Sequence, residues 1–409
     1  MHKPQLIHLT VAGLLLSVLI AAVSGVFMLL EGELITLLWT TIPAKLPFDW
    51  PYYLLLCGVG GWLLTRLNRR WGPMPATAHQ AMAELRQTQT VQYRDTFKNL
   101  LVALVILAGG AGVGPEAALL GAVVSLSVWE MDRLRYFYFN HDMLQTVPVY
   151  RRLWWLVAPT GHLQRYRSTH SVPAEQLGMK KKINALFIAN GLVAFYLLMR
   201  VIGHPSFITK MGASHWTWPQ LWVIIPILLV SVPVGGLYHW GSRQLHALLQ
   251  RVPHRLPRPF LGAAVIFLFA MVGPRLLFSG QTFMALIPQV NGHQTAAVIL
   301  TAAVLKLIFL QLCLETGWIG GDIFPIAFAS ILFGFGLAQL LPSLDALLIV
   351  AVVATSLATN LLGNIWVAGI FIALFFPLNL LPVIALVLGL RWGGQRVWTL
   401  WRKRAQAGS

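Results

Sequence analysis

Long apolar runs separated by short polar stretches dominate the chain. They are Leu6–Leu30, Pro51–Leu64, Asn99–Ala108, Ala117–Val128, Ile183–Ile202, Trp218–Tyr238, Phe260–Phe278, Ala296–Leu314, Ile323–Leu341, Ala346–Leu362 and Ile365–Leu390. Several reach the roughly 20 residues that carry an α-helix across the hydrocarbon core of a bilayer. Others are shorter and interrupted by Gly or Pro, which predicts helices that stop part-way through the membrane. The pattern predicts an all-α, polytopic membrane protein. The first run is too long for a cleavable signal and lacks a small-residue cleavage site before a polar stretch, so it reads as a retained helix.

Composition agrees: 57% of the residues are hydrophobic and 11% charged, against about 25% charged in soluble domains. The formal charge of +17 is concentrated in residues 66–98, 133–182, 243–258 and 391–404. In a membrane protein such clusters mark cytoplasmic loops. The more acidic Glu31–Trp50 then faces outward, and both termini are expected inside. The positive charge therefore describes topology, and no nucleic-acid partner is expected. Four segments follow: a first membrane part (1–129), a basic, polar stretch that holds no span (130–182), the remaining membrane helices (183–391) and a basic tail (392–409). Within the polar stretch, "YRRLWWLVA" predicts an interfacial helix. Cys57 and Cys313 lie in apolar runs and read as small buried hydrophobes.

Two interruptions carry the chemistry. "GGAGVGPEAALLG" (109–121) joins two apolar runs, and "KLIFLQLCLETGWIGGDIFP" (306–325) repeats the arrangement in the second half. Proline sits at or near the first helical position in both, where its missing N–H costs nothing. A helix that begins inside a bilayer leaves up to four N–H groups without intrahelical partners and presents the positive end of its dipole. Glycines keep the backbone bare, so two such starts aimed at one point hold an anion without a full positive charge. Paired interruptions in corresponding halves point to the binding site of an inverted-repeat transporter. Glu116 stands at the first of these starts, where it competes with a mobile anion for the same amides. An intramembrane carboxylate is a functional residue by default.

Other chemistries fit less well. "GGAGVG" has neither the strand context of a dinucleotide loop nor the Lys-Ser/Thr of a phosphate loop. The twelve histidines show no ligand spacing with Cys, Asp or Glu, so neither a metal nor a cofactor is expected. A membrane enzyme using Glu116 or Glu315 as acid or base would need a second catalytic group nearby, and none is evident. Lys306 reads as a structural counter-charge. It does not pair with Glu315 within one straight helix, because nine residues span about 13.5 Å.

The same segments resemble the CLC family of chloride channels and chloride/proton exchangers, specifically a divergent, short bacterial-type member. "GGAGVGPEAALLG" resembles the family's stretch bearing the gating glutamate. "SGQTFMALIPQV" (279–290) and "ETGWIGGDIFPIAFASILFG" (315–334) resemble later segments leading into a second anion-coordinating helix start. "RRWGPMPATAHQAM" (69–82) falls where the family has its first anion-binding motif. The resemblance runs from about Leu6 to Leu390. It implies a CLC-like inverted-repeat fold with broken re-entrant helices, a homodimer with one pore per subunit, and a bacterial inner-membrane location. It also implies transport of chloride or a related monovalent anion, with protons as a further candidate partner.

By the same resemblance, Glu116 is the gate. The backbone amides of Gly112, Gly114, Ala117, Gly320, Gly321, Asp322, Ile323 and Phe324 line the anion path, and Gly72, Pro73, Met74 and Thr77 form the inner approach. The family's first-motif serine and late tyrosine have no counterpart here, nor do two helices that carry an inner proton relay. Passive conduction is therefore expected over proton-coupled exchange. Asp322 is expected to point toward Lys306 or solvent. The alternative reading is a degenerate CLC-like protein acting as a scaffold or regulator.

Overall fold

The computed structural model describes residues 3–75, 78–88, 90–165, 174–203, 208–251, 257–284, 287 and 294–407. In chain order the helices are α1 (Lys3–Thr36), α2 (Trp50–Trp71), α3 (Ala78–Thr88), α4 (Thr96–Ala108), α5 (Glu116–Phe139), α6 (His141–Thr146), α7 (Val149–Val157) and α8 (Ala174–Ile202). There follow α9 (Ile224–Arg251), α10 (Arg258–Val272), α11 (Gln281–Met284), α12 (Ala296–Glu315), α13 (Ile323–Leu340), α14 (Ala346–Leu361), α15 (Ile365–Ala373) and α16 (Leu381–Ala407). Among the described residues, six helical stretches are long and apolar enough to cross a membrane. The protein is an integral, multi-pass membrane protein.

Two features depart from the run pattern. Ile365–Leu390 is not one helix: α15 ends at Ala373 and a 3-10 turn spans Leu378–Leu380 before α16 begins. Pro377 stands between them, and proline has no N–H to continue a helical ladder. Conversely, α5 runs unbroken through Glu130 to Phe139, and α16 continues through the basic tail to Ala407. The interfacial helix expected near residues 150–158 corresponds to α7.

The chain forms two compact units. The first holds residues 1–42, 68–105 and 117–205. Here α1 and α8 lie side by side because glycines let them. A Cβ on Gly13 would overlap the Phe187 ring, and one on Gly25 would overlap Leu198. Asn190 Nδ2 donates to the Leu14 carbonyl (3.0 Å) and to Ser17 Oγ (2.8 Å). Close approach and interhelical hydrogen bonds are what join helices in lipid, where apolar burial gives little drive.

Arg133, fully buried, organises the segment after α5. Its guanidinium donates to the carbonyls of Trp155 (2.6 Å), Gly161 (2.7 Å), His162 (3.3 Å) and Ala158. A cation at the C-terminal end of α7 also meets the negative end of that helix dipole.

The second unit holds residues 43–67, 106–116 and 206–409. Its core is α13 against α14, whose side chains are mostly buried. Gly334 allows the approach, since a Cβ there would lie 2.7 Å from Val350 Cα. Asp345 starts α14 by accepting from the Leu348 N–H (2.8 Å). The same carboxylate accepts from Ser214 Oγ and from the His215 N–H, both at 2.8 Å.

On α12, Lys306 is fully buried and donates to the carbonyls of Leu276 (2.9 Å) and Phe278. The Phe309 and Phe328 rings lie 5.5 and 5.9 Å from its Nζ. Backbone carbonyls and ring faces, rather than a carboxylate, thus stabilise the ammonium.

Candidate functional site

After α4 the chain turns at Gly110, whose φ of +89° falls in the left-handed region that glycine enters at no steric cost. The loop that follows packs into the second unit. The Gly112 N–H donates to Cys313 Sγ (3.3 Å). Gly114 and Gly321 then pair reciprocally, each N–H donating to the other's carbonyl at 2.8 Å. The two Gly-rich breaks, far apart in the chain, are therefore clasped to each other by their own backbone.

The clasp sets the carboxylate. Glu116 opens α5, and its Oε1 accepts from the Phe324 N–H at 3.1 Å, in the first turn of α13. Pro325 supplies no N–H, so that turn offers Ile323 and Phe324 as donors. Oε2 is shielded and has no hydrogen-bond partner among the described residues. A Cβ on either Gly114 or Gly321 would overlap the Glu116 carboxyl group. Glycine is thus required on both sides. The arrangement places the protein's own carboxylate at the start of a helix.

The expected residues divide into three groups. Glu116, Gly112, Gly114, Gly320, Gly321, Asp322, Ile323 and Phe324 all come together in the second unit, with Ala117 next along the first turn of α5. The N–H groups of Gly112, Gly114 and Gly321 are already committed, to Cys313 and to each other, so these three serve the scaffold rather than offering free donors. Asp322 is the N-cap residue of α13, but its exposed side chain makes no cap hydrogen bond. It opens to accessible space and acts electrostatically on Glu116.

Gly72, Pro73 and Met74 belong to the other compact unit. There they end α2: Gly72 (φ +87°) donates its N–H to the Asn68 carbonyl at 2.9 Å, and the Met74 N–H reaches Asn68 Oδ1 at 3.4 Å. Thr77 lies outside the described residues, as do parts of the 279–290 segment. Among the described residues, no group of three His, Cys, Asp or Glu side chains is placed to hold a metal ion.

Sequence reasoning missed Cys313, read there only as a small apolar residue. Its position within the second Gly-rich segment was the available signal.

Comparison with known proteins bears on this geometry. The family model described as voltage gated chloride channel, the CLC family, matches residues 178–390, just over half of the chain. The chain belongs to this CLC family. Its transport is of the CLC anion type, and the family is one of channels and transporters rather than enzymes. Curated relatives named "Putative ion-transport protein YfeO" occur in Escherichia fergusonii and in Escherichia coli O7:K1. Each is 23% identical over 391 residues, covering 90% of this chain and 88% of the relative.

Two solved structures share the CLC fold. "X-ray crystal structure of a slow cyanobacterial Cl-/H+ antiporter" aligns with a TM-score of 0.69 at 15% identity, covering 100% of this chain and 99% of the other. "Crystal structure of a CLC-type fluoride/proton antiporter" aligns with a TM-score of 0.62 at 18% identity, covering 95% of both.

Proposed function

We propose that this CLC chain moves chloride or a related monovalent anion across a bacterial inner membrane, as a homodimer with cytoplasmic termini, and that Glu116 is its gate. The observation that carries the reading is the Glu116 carboxylate seated on the Phe324 amide at the start of α13. A carboxylate there is chemically a tethered anion. Protonation weakens its hold, because a neutral acid accepts a hydrogen bond roughly half as strongly as the ionised group. A free anion displaces it by taking over the same N–H groups. Both events open the seat, and return of the charged side chain closes it.

Chloride is the working substrate. Support comes from the family's description and from the two antiporter folds, whose titles name chloride and fluoride. No observation favours the alternative reading as a scaffold that does not transport.

Efflux from chloride-loaded vesicles containing the purified protein tests the proposal. Wild type releases chloride in a pH-dependent manner, and Glu116→Ala releases it without that dependence. Absence of efflux from wild type, or an unchanged pH response in Glu116→Ala, overturns it.

A further inference from the structure

A cavity of about 620 Å³ lies among α10, α12 and α13, all in the second unit. That volume falls in the range of sites that hold small ligands. The last turns of α10 (Leu268, Phe269, Val272) and the first turns of α12 (Ile299, Ala302) line it, and Phe328 of α13 completes the lining. Among the described residues, Arg275, Gln294 and Thr301 are its polar side chains, and the others are apolar. Three of the lining residues, Leu268, Val272 and Val298, are each more than half exposed. In a chain that spans a bilayer such side chains meet acyl chains, so hydrocarbon rather than water has access to the cavity.

Two of the polar groups gather at one end. Arg275 follows α10 and Gln294 precedes α12, and these are the ends of the two helices that line the cavity. The first residue of α10, Arg258, closes the basic stretch 243–258 that the positive-inside rule gives to the cytoplasm. The 15 residues of α10 rise about 22 Å, short of the roughly 30 Å hydrocarbon core. Arg275, just past its end, therefore stands close to the opposite headgroup layer. Among the described residues its guanidinium has no carboxylate partner, and its Cζ lies 5.7 Å from the centre of the Phe283 ring, also in the lining. A cation at lipid depth with no acid of the chain to pair with takes its counter-charge from the membrane.

We propose that this cavity binds an anionic phospholipid: one acyl chain fills the space between α10 and α12, and the headgroup phosphate sits on Arg275. The planar guanidinium matches two phosphate oxygens at once. Gln294 offers an amide donor and acceptor to the rest of the headgroup. Charge selects the headgroup and the apolar lining selects the chain, so a soluble phosphate, with nothing to bury, is not held. Phe328 stands one turn beyond Phe324, so the bound chain braces the helix whose first turn meets the Glu116 carboxylate. The inference does not depend on Glu116 being a gate.

Native mass spectrometry of the full chain in detergent, with added phosphatidylglycerol or phosphatidylcholine of identical acyl chains, tests the proposal. Wild type should retain phosphatidylglycerol about tenfold more tightly, the scale of one charge-assisted contact. Arg275→Gln should retain the two lipids equally, and Arg275→Lys should keep part of the preference. Val298→Trp should lower retention of both lipids by filling the cavity. Should that variant not fold, the Arg275 variants, altered at an exposed side chain, decide. Glycerol phosphate, the headgroup without chains, should not be retained. Equal retention of the two lipids by wild type, an unchanged preference in Arg275→Gln, or retention of glycerol phosphate overturns the site. So does a shift from dimer to monomer in Val298→Trp at unchanged lipid retention, which would give the cavity to a second copy of the chain.

Discussion

Replacing Glu116 by alanine should tighten anion binding, by an amount that follows from the contacts. The carboxylate makes one hydrogen bond to the α13 start, from the Phe324 N–H at 3.1 Å, and its Oε2 has no such partner among the described residues. A hydrogen bond to a charged group contributes about 1.5–3 kcal/mol net. An anion entering the seat must displace that bond in wild type and need not in Glu116→Ala. At about 1.4 kcal/mol per tenfold, the Kd for chloride should fall by about 10- to 100-fold. Glu116→Gln keeps an acceptor for Phe324 but loses the charge, so its affinity should fall between the two. Isothermal titration calorimetry of chloride into the purified protein in detergent measures all three. Equal or weaker binding by Glu116→Ala would mean that the anion does not use the amides that the carboxylate occupies, and the competition argument would be refuted.

Gly321→Ala should mimic Glu116→Ala in efflux. The added Cβ overlaps the carboxyl group, while the two 2.8 Å bonds of the Gly114–Gly321 clasp hold the backbone in place. Retained pH dependence in Gly321→Ala would argue against this. Cys313→Ala should lower the thermal unfolding midpoint in detergent, because the buried Gly112 N–H loses its acceptor at a cost of about 1–3 kcal/mol. Cys313→Ser should stay near wild type, and equal midpoints for the Ala and Ser variants would refute the role of the sulfur.

The 158–164 loop should loosen in acid. Burial, and beside it the Arg133 guanidinium, hold the His162 imidazole below the usual histidine range. The unfolded loop therefore takes up a proton first, so stability is complete above a pH of about 6.5 and declines as pH falls below it. Hydrogen exchange at these residues should quicken on acidification, and His162→Gln should flatten the response.

The two helix starts were legible because their signals are local. Gly and Pro punctuation marked both helix starts, and Glu116 stood out as a carboxylate with apolar neighbours. Pairing between distant segments was not legible. The Gly114–Gly321 clasp takes two amides that sequence reasoning assigned to the anion, and nothing in either segment specifies that each has the other as partner. The hydrogen bonds between α9 and α12 that join Tyr238 and Ser242 to Gln311 are hidden for the same reason. Gln311 looks isolated in an apolar run until α9 lies beside it. The break at Pro377 was available in the sequence but masked by the apolar residues around it.

The bond between Gly112 and Cys313 joins positions 201 residues apart. A ribosome adding about 5–20 residues per second leaves the first loop waiting roughly 10–40 s for its counterpart to be made. Until then Glu116 has no α13 amide to sit on. The clasp that orients this carboxylate is thereby complete only when both halves of the chain have been made.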